Sequence, residues 1–162
     1  PTEPTIVIDN FKNSLLEKNA DNYISCFADS TKQSKTGFYF MPSGSAIASF
    51  PSVFEYWAID SERRYFNSMI RYLTGELSTV LTLSNGKMDF VSPDSTLYVA
   101  DYVLQVPHNL TDLPKEYRGY LQFTLSKQKD GLWSISRWFD NNPKMIDTTN
   151  ATWSLLKARL AN

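Results

Sequence analysis

Apolar side chains recur at helical spacing in the first half of the chain and again at its end. In the first such segment Ile8, Phe11 and Leu15 fall on one helix face. The pattern predicts amphipathic helices at residues 4–19, 20–29, 51–75 and about 148–160. Within 51–75, a break near Asp60 is one option.

Most of the remaining chain alternates apolar and polar residues with a period of two, which predicts strands. The predicted strands are residues 36–42, 77–91, 96–106, 118–128 and 132–139. Asn85-Gly86 divides the second of these, as either a hairpin turn or a bulge. Residues 43–49 and 107–117 are predicted loops. Helices, then an antiparallel meander, then one helix indicate an α+β fold with helices on one face of a curved sheet.

Composition agrees with a single globular domain over residues 1–162. Apolar residues make up 42% and charged residues 20% of the chain, and the net charge of -1 argues against a nucleic-acid partner. No run of about 18 apolar residues occurs, so no membrane span is predicted. The aromatic fraction of 14% favours pockets or interfaces.

The single cysteine and single histidine limit the chemistry. Cys26, next to Phe27, is predicted to be a buried thiol, and His108 to be exposed in a loop. Zinc, haem and an internal disulfide are therefore not expected, and no cofactor or metal site is predicted. The chain begins PTEPT without a methionine, which suggests a processed, exported or periplasmic bacterial protein, with a lipid anchor as one option; a cytoplasmic location is the alternative.

Two segments carry a resemblance to a known family: FKNSLLEKNADNYISCFADS at 11–30 and DGLWSISRWFDN at 130–141. With the order of elements, they resemble the nuclear-transport-factor-2-like superfamily, including its SnoaL-like and ketosteroid-isomerase-like members. The likeness spans about residues 5–140. It implies a cone-shaped, cystatin-like fold, with N-terminal helices packed in the concave face of a curved antiparallel sheet. A cavity would open between them, and the C-terminal helix would be an addition.

The resemblance also tests one activity. The isomerase members use a tyrosine and two aspartates, whose positions match Phe11, Met41 and Leu121 in this chain. None of the three side chains carries an acid or base. The resemblance therefore implies a protein without steroid isomerase activity, and a non-catalytic role is favoured.

Alternation together with the family register assigns one face of each late strand to the interior of the cone. The interior sets are Leu97, Val99, Asp101 and Val103; Leu121, Phe123 and Leu125; and Trp133, Ile135, Arg137 and Phe139. Two charges, Asp101 and Arg137, would then be buried and would need partners. They form either a structural ion pair, or hydrogen bonds to a buried tyrosine such as Tyr23, or the lining of a ligand cavity.

The favoured function is a non-catalytic small-molecule binding module with a cavity inside the cone. The predicted ligand-binding residues are Asp101, Arg137, Tyr23, Trp57, Phe123 and Trp133. One alternative is a SnoaL-like isomerase, cyclase or hydrolase with Asp101 as its acid/base. Another is a structural or protein-interaction domain, whose cone would be packed solid by Phe38, Phe40, Trp57, Phe66 and Trp133.

The opposite faces of the strands are aromatic and polar, and they carry Tyr98, Tyr102, Tyr120 and Trp138. This convex surface is predicted to be either a homodimer interface or a face covered by Trp153, Leu155 and Leu156 of the last helix. Glu62, Arg63 and Arg64 are predicted to lie on a solvated helix face.

Overall fold

A computed structural model describes residues 1–30, 37–144 and 151–161. The helices are α1 (Pro4–Leu16), α2 (Ala20–Ser25), α3 (Gly44–Ser49), α4 (Ile59–Arg71) and α5 (Trp153–Leu160). The strands are β1 (Tyr39–Met41), β2 (Val80–Ser92), β3 (Ser95–Gln105), β4 (Glu116–Lys127) and β5 (Trp133–Asn141). The predicted α+β class is confirmed. The helix predicted at about 148–160 begins at Trp153 as described, and residues 145–150 lie outside the described part.

The strands form one five-stranded sheet in the order β1-β5-β4-β3-β2. Neighbouring strands run antiparallel from β2 to β5, as a meander requires. The short β1 adds to the far edge in parallel with β5. Helices pack against the concave face of this curved sheet, where α1 presents the fully buried Phe11 and Leu15.

The C-terminal helix enters the cone. The Trp153 ring centre lies 4.6 Å from that of Trp138 on β5, 5.4 Å from Tyr102 on β3 and 5.7 Å from Phe11 on α1. The prediction that this helix covers the convex face through Trp153, Leu155 and Leu156 is therefore wrong. An amphipathic pattern shows that a helix has a buried face, but not which surface of the sheet receives it.

A bulge in β5 reverses the predicted direction of Arg137. Leu125 pairs with Ile135 and Thr124 pairs with Arg137, so Ser136 is the extra residue on β5. Before the bulge, the inward direction of Ile135 is as predicted. After it the alternation shifts by one position, so Arg137 is exposed and Trp138 is fully buried.

Strand β3 also faces the opposite way from the prediction. Ala100 and Leu104 are fully buried and Tyr102 nearly so, whereas Asp101 is half-buried on the convex side. The prediction followed the family register and the apolarity of Leu97, Val99 and Val103. Tyr102 can be buried because its hydroxyl is hydrogen-bonded to Asp140 and to the Trp153 amide. A strand read one residue out of phase presents every side chain to the wrong face.

The convex surface consequently differs from the predicted interface. Tyr102 and Trp138 are buried on the concave side and Tyr98 is half-buried there, which leaves only Tyr120 of the four predicted residues on the convex side. The homodimer prediction loses the residues on which it rested.

Three local predictions also need correction. Residues 43–49 contain helix α3, capped by the Ser43 hydroxyl, which accepts from the Ala46 amide. Helix α4 begins at Ile59 and not at Pro51, which agrees with the option of a break near Asp60. His108 is buried and not exposed. Both ring nitrogens have partners: Nε2 donates to the Pro114 carbonyl at 2.9 Å, and Nδ1 accepts from the Leu110 amide at 3.0 Å.

Asn85-Gly86 is a bulge rather than a hairpin turn, since β2 continues through it with a register shift between Ser84 and Lys87. Asn85 has a φ of 55°, in the left-handed region that asparagine tolerates. Within the described ranges, no helix is long and apolar enough to cross a membrane.

Candidate functional site

A charged pair occupies the interior of the cone. Glu62 on the first turn of α4 and Lys157 on α5 both have fully buried side chains, and their Oε1 and Nζ atoms lie 2.8 Å apart. Lys157 also donates to Glu62 Oε2 at 2.9 Å. Burial of an ion pair is tolerated when the remaining lone pairs are satisfied. Here the Tyr23 hydroxyl donates to Oε1 at 2.5 Å and the Trp57 indole to Oε2 at 2.8 Å.

Aromatic rings surround the ammonium group of Lys157. Its Nζ atom is 3.4 Å from the ring centre of Trp138 and 3.6 Å from that of Phe40. The rings of Tyr65 and Trp57 lie further away, at 5.5 and 5.8 Å. Cation–π attraction within about 6 Å favours the charged form in such a place. Lys157 is therefore held by one carboxylate and by ring faces.

A second buried carboxylate, Asp140 on β5, ties the start of α5 to the sheet. Tyr102 donates to Asp140 Oδ1 at 2.7 Å, and the Ser154 amide donates to Oδ2 at 2.9 Å. The Tyr102 hydroxyl accepts in turn from the Trp153 amide at 2.8 Å. These bonds satisfy backbone amides of the first turn of α5, which have no partner within the helix.

Gly119 on β4 makes room for this arrangement. A Cβ atom there would lie 2.6 Å from the hydroxyl of Tyr102 and 2.6 Å from the carbonyl oxygen of Asn141. Only glycine permits so close an approach of ring and backbone at this point. Its place opposite Tyr102 in the β3–β4 register therefore allows the Tyr102 ring to lie directly against the Gly119 backbone.

Burial changes the proton affinities of these groups. It lowers the pKa of Lys157 to about 8, against the attraction of Glu62 and Asp140. Burial raises the pKa of Asp140, although hydrogen bonds from Ser154 and Tyr102 oppose this. Burial and the neighbouring carboxylates also raise the pKa values of Tyr23 and Tyr102. Both tyrosines thus remain hydrogen-bond donors at neutral pH.

The predicted site residues separate into three places. Tyr23 and Trp57 meet at Glu62, and Phe123 is buried in the cone against Phe11 and Trp138. Trp133 is buried at the start of β5. The two remaining members are on the convex face, where Asp101 accepts from the Asn85 amide group at 2.8 Å and Arg137 is exposed. Phe11 and Leu121 are buried apolar side chains and Met41 is exposed, so these positions supply no acid or base.

Glu62 and Lys157 were missed, and Glu62 was assigned to a solvated face. A signal was present in the spacing. Glu62 precedes Phe66 by four residues and Met69 by seven, and Lys157 follows Trp153 by four. Each charge therefore lies within the apolar stripe of its helix, where a carboxylate and an ammonium group can meet only as partners.

An open cleft of about 440 Å³ lies at the rim of the cone, between α2 and the turn that joins β4 to β5. Its mouth carries the ion pair of Arg63 with Asp21, at 3.3 Å. The Ser134 hydroxyl, buried beside the cleft, has no hydrogen-bond partner among the described residues. The cleft is lined by Pro1, Asp21, Ile24, Ser25, Phe27, Ala28, Asp29, Arg63, Gln128, Asp130, Leu132, Trp133 and Ser134.

Known structures share this fold along most of the chain. A ketosteroid isomerase-like protein from Erwinia carotovora atroseptica is 12% identical, with a TM-score of 0.56 over 85% of this chain and 91% of that one. A nuclear transport factor 2 superfamily protein from Salmonella enterica is 9% identical, with a TM-score of 0.61 over 90% and 92%.

A nuclear-transport-factor-2-like protein of unknown function in nutrient uptake, from Rhodospirillum rubrum, is 11% identical, with a TM-score of 0.58 over 86% and 98%. No protein family description matches the sequence, and no curated protein matches it. At sequence identities this low, structural similarity shows the fold alone. The similarity confirms the predicted cone-shaped fold.

Proposed function

We propose, from the nuclear-transport-factor-2-like fold of this chain, that it is a non-catalytic module that binds a small molecule in the rim cleft. The observation that carries the proposal is the cleft itself, about 440 Å³ and open to solvent. That volume suits a small ligand. The proposed site therefore lies at the rim of the cone, whereas the sequence predicted a site in its interior.

The filled interior supports a non-catalytic role. Phe11, Tyr23, Phe123, Trp138 and Trp153 are all fully buried. The carboxylates of Glu62 and Asp140 are each enclosed by hydrogen-bond donors of the chain itself. A substrate needs contact with the group that transfers its proton, and these groups are already engaged. Asp101, the acid/base of the enzymatic alternative, lies on the convex side.

The lining of the cleft suits a ligand with an apolar body and a polar end. Ile24, Phe27 and Trp133 supply apolar surface, and Trp133 also belonged to the predicted ligand-binding set. Charged groups stand around them, with Asp130 on one side and Arg63 on the other. Apolar walls with a few polar groups at defined places are the usual composition of a small-molecule site.

Filling the cleft tests the proposal. Ser25→Trp places an indole at an exposed cleft position at the end of α2, and Asn10→Trp is the matched control on the exposed face of α1. Native mass spectrometry of the purified proteins should find a small molecule with wild type and with Asn10→Trp, but not with Ser25→Trp. Retention of that molecule by Ser25→Trp would contradict the rim site.

A structural or protein-interaction domain is the second candidate, because the cone meets the condition set for it. Phe38, Phe40, Trp57, Phe66 and Trp133 are all buried members of one core cluster. If no small molecule accompanies the wild-type protein, and a thermal-shift screen of metabolites yields no stabilising compound, this second function replaces the first.

A further inference from the structure

The enclosure around the Lys157 ammonium group has the composition of a cation-binding site. Trp138 and Phe40 present their ring faces at 3.4 and 3.6 Å from Nζ. Glu62 accepts from Nζ through Oε2 at 2.9 Å, and its Oε1 lies 2.8 Å from the same nitrogen. Aromatic faces combined with a carboxylate are how proteins recognise ammonium groups of ligands. We call Glu62, Trp138 and Phe40 the ammonium cage.

The cage has supports that do not involve Lys157. Tyr23 and Trp57 donate to Glu62 at 2.5 and 2.8 Å, which fixes the carboxylate. The Trp138 ring packs edge-on against Phe123, with ring centres 5.3 Å apart. The walls come from α4, β1 and β5, whereas the ammonium group comes from α5 alone. Removal of that one group would therefore leave a preformed site.

Stability alone is a weak reason for such a pair, because apolar residues of similar volume are often as stabilising as a buried ion pair. We propose that the ammonium cage is a binding site for a primary alkylammonium group, and that Lys157 is its resident occupant. Helix α5 then closes the cone by supplying the ligand of the site. The inference is independent of the rim cleft.

The charges around the cage agree with a cationic occupant. Glu62 contacts the ammonium group directly, and Asp140 on β5 adds a second attraction. The pKa of Lys157 is lowered only to about 8, so its own ammonium group stays protonated at pH 7. A primary ammonium group suits the cage because its nitrogen donates to Glu62 Oε2 and also lies 2.8 Å from Oε1.

Chemical rescue tests the inference in the full chain. Lys157→Ala removes three methylenes and the ammonium group, which n-propylammonium replaces atom for atom. We expect n-propylammonium chloride at ten times its dissociation constant to raise the melting temperature of this variant by about 3–5 °C, saturably. 1-Propanol and sodium chloride at equal concentrations should have no such effect, and wild type should not respond because Lys157 fills the cage.

A second variant tests the role of the carboxylate. Glu62→Gln with Lys157→Ala should lose the response to n-propylammonium, because the anion is gone. Stabilisation of wild type or of the double variant by as much as that of Lys157→Ala, or no stabilisation of Lys157→Ala itself, would overturn the inference. Should Lys157→Ala not fold in buffer, it is refolded from urea with each additive. Recovery of near-ultraviolet circular dichroism with n-propylammonium alone supports the cage, and recovery with neither additive overturns it.

Discussion

Replacing Lys157 by methionine is the most direct perturbation of the cone interior. Methionine keeps much of the volume, but among the described residues it leaves the Glu62 carboxylate with Tyr23 and Trp57 alone as donors. Two unit charges 2.8 Å apart attract by about 6 kcal/mol at an effective dielectric constant of about 20. Desolvation offsets much of this in the native protein. After the change, however, a buried carboxylate is left without a counter-charge, so we expect a loss of about 3–5 kcal/mol in the free energy of unfolding.

Glu62→Gln should be destabilising for the same reason, because it leaves the Lys157 ammonium group without its anion. The double variant, Glu62→Gln with Lys157→Met, buries no unpaired charge. We expect it to lose about 2 kcal/mol less than the sum of the two single variants. Urea unfolding followed by tryptophan fluorescence measures all four proteins, since Trp57 and Trp138 both contact the pair.

Arg137→Met is the matched control, because it removes a cation from the exposed side of β5. We expect a change within about 0.5 kcal/mol. If the two interior changes add to within about 0.5 kcal/mol, or if Lys157→Met is as mild as the control, Glu62 and Lys157 do not form the coupled buried pair described above.

Three further outcomes follow from named contacts. Burial raises the pKa of the Cys26 thiol to about 12. At pH 8, iodoacetamide should therefore label the folded protein far more slowly than the urea-unfolded chain. Equal labelling rates would contradict the burial of Cys26. Gly119→Ala should lose about 1–3 kcal/mol in urea unfolding, because the added methyl meets the Asn141 carbonyl at 2.6 Å; an unchanged midpoint would refute that clash. Between pH 8 and 10.5 the unfolded chain holds the Lys157 proton that the folded chain has lost. The free energy of unfolding of wild type should therefore rise with pH in this range, relative to that of Lys157→Met. If urea unfolding shows that this difference falls as pH rises, the expected direction is refuted.

Much of the fold could be predicted from periodicity. The helical spacing of Ile8, Phe11 and Leu15 identified α1, and strict alternation located β3, β4 and β5 to within a few residues. These signals are local: each depends on the spacing of side chains along one element. They survive tertiary packing because amphipathic elements bury their apolar sides in almost any fold of the class.

The directions of the two charges that defined the predicted site could not be obtained in this way. Arg137 faces solvent because of the bulge at Ser136, and a bulge depends on the register between two strands. Asp101 faces outward because β3 turns Tyr102 inward, over Gly119 of the neighbouring strand. In both cases the cause lies in a neighbouring strand, so it cannot be seen in the sequence of the residue's own strand.

The sequence by itself determined the α+β class, the order of the longer helices and strands, and the spacing that places a charge in the apolar stripe of α4 and of α5. Only the tertiary structure decided that those two stripes meet, so that Glu62 and Lys157, 95 positions apart, become partners within the cone. The physical reason is the range of each interaction. Helix and strand periodicity is set by neighbours a few residues away, whereas a buried ion pair is stable only where distant elements exclude water together.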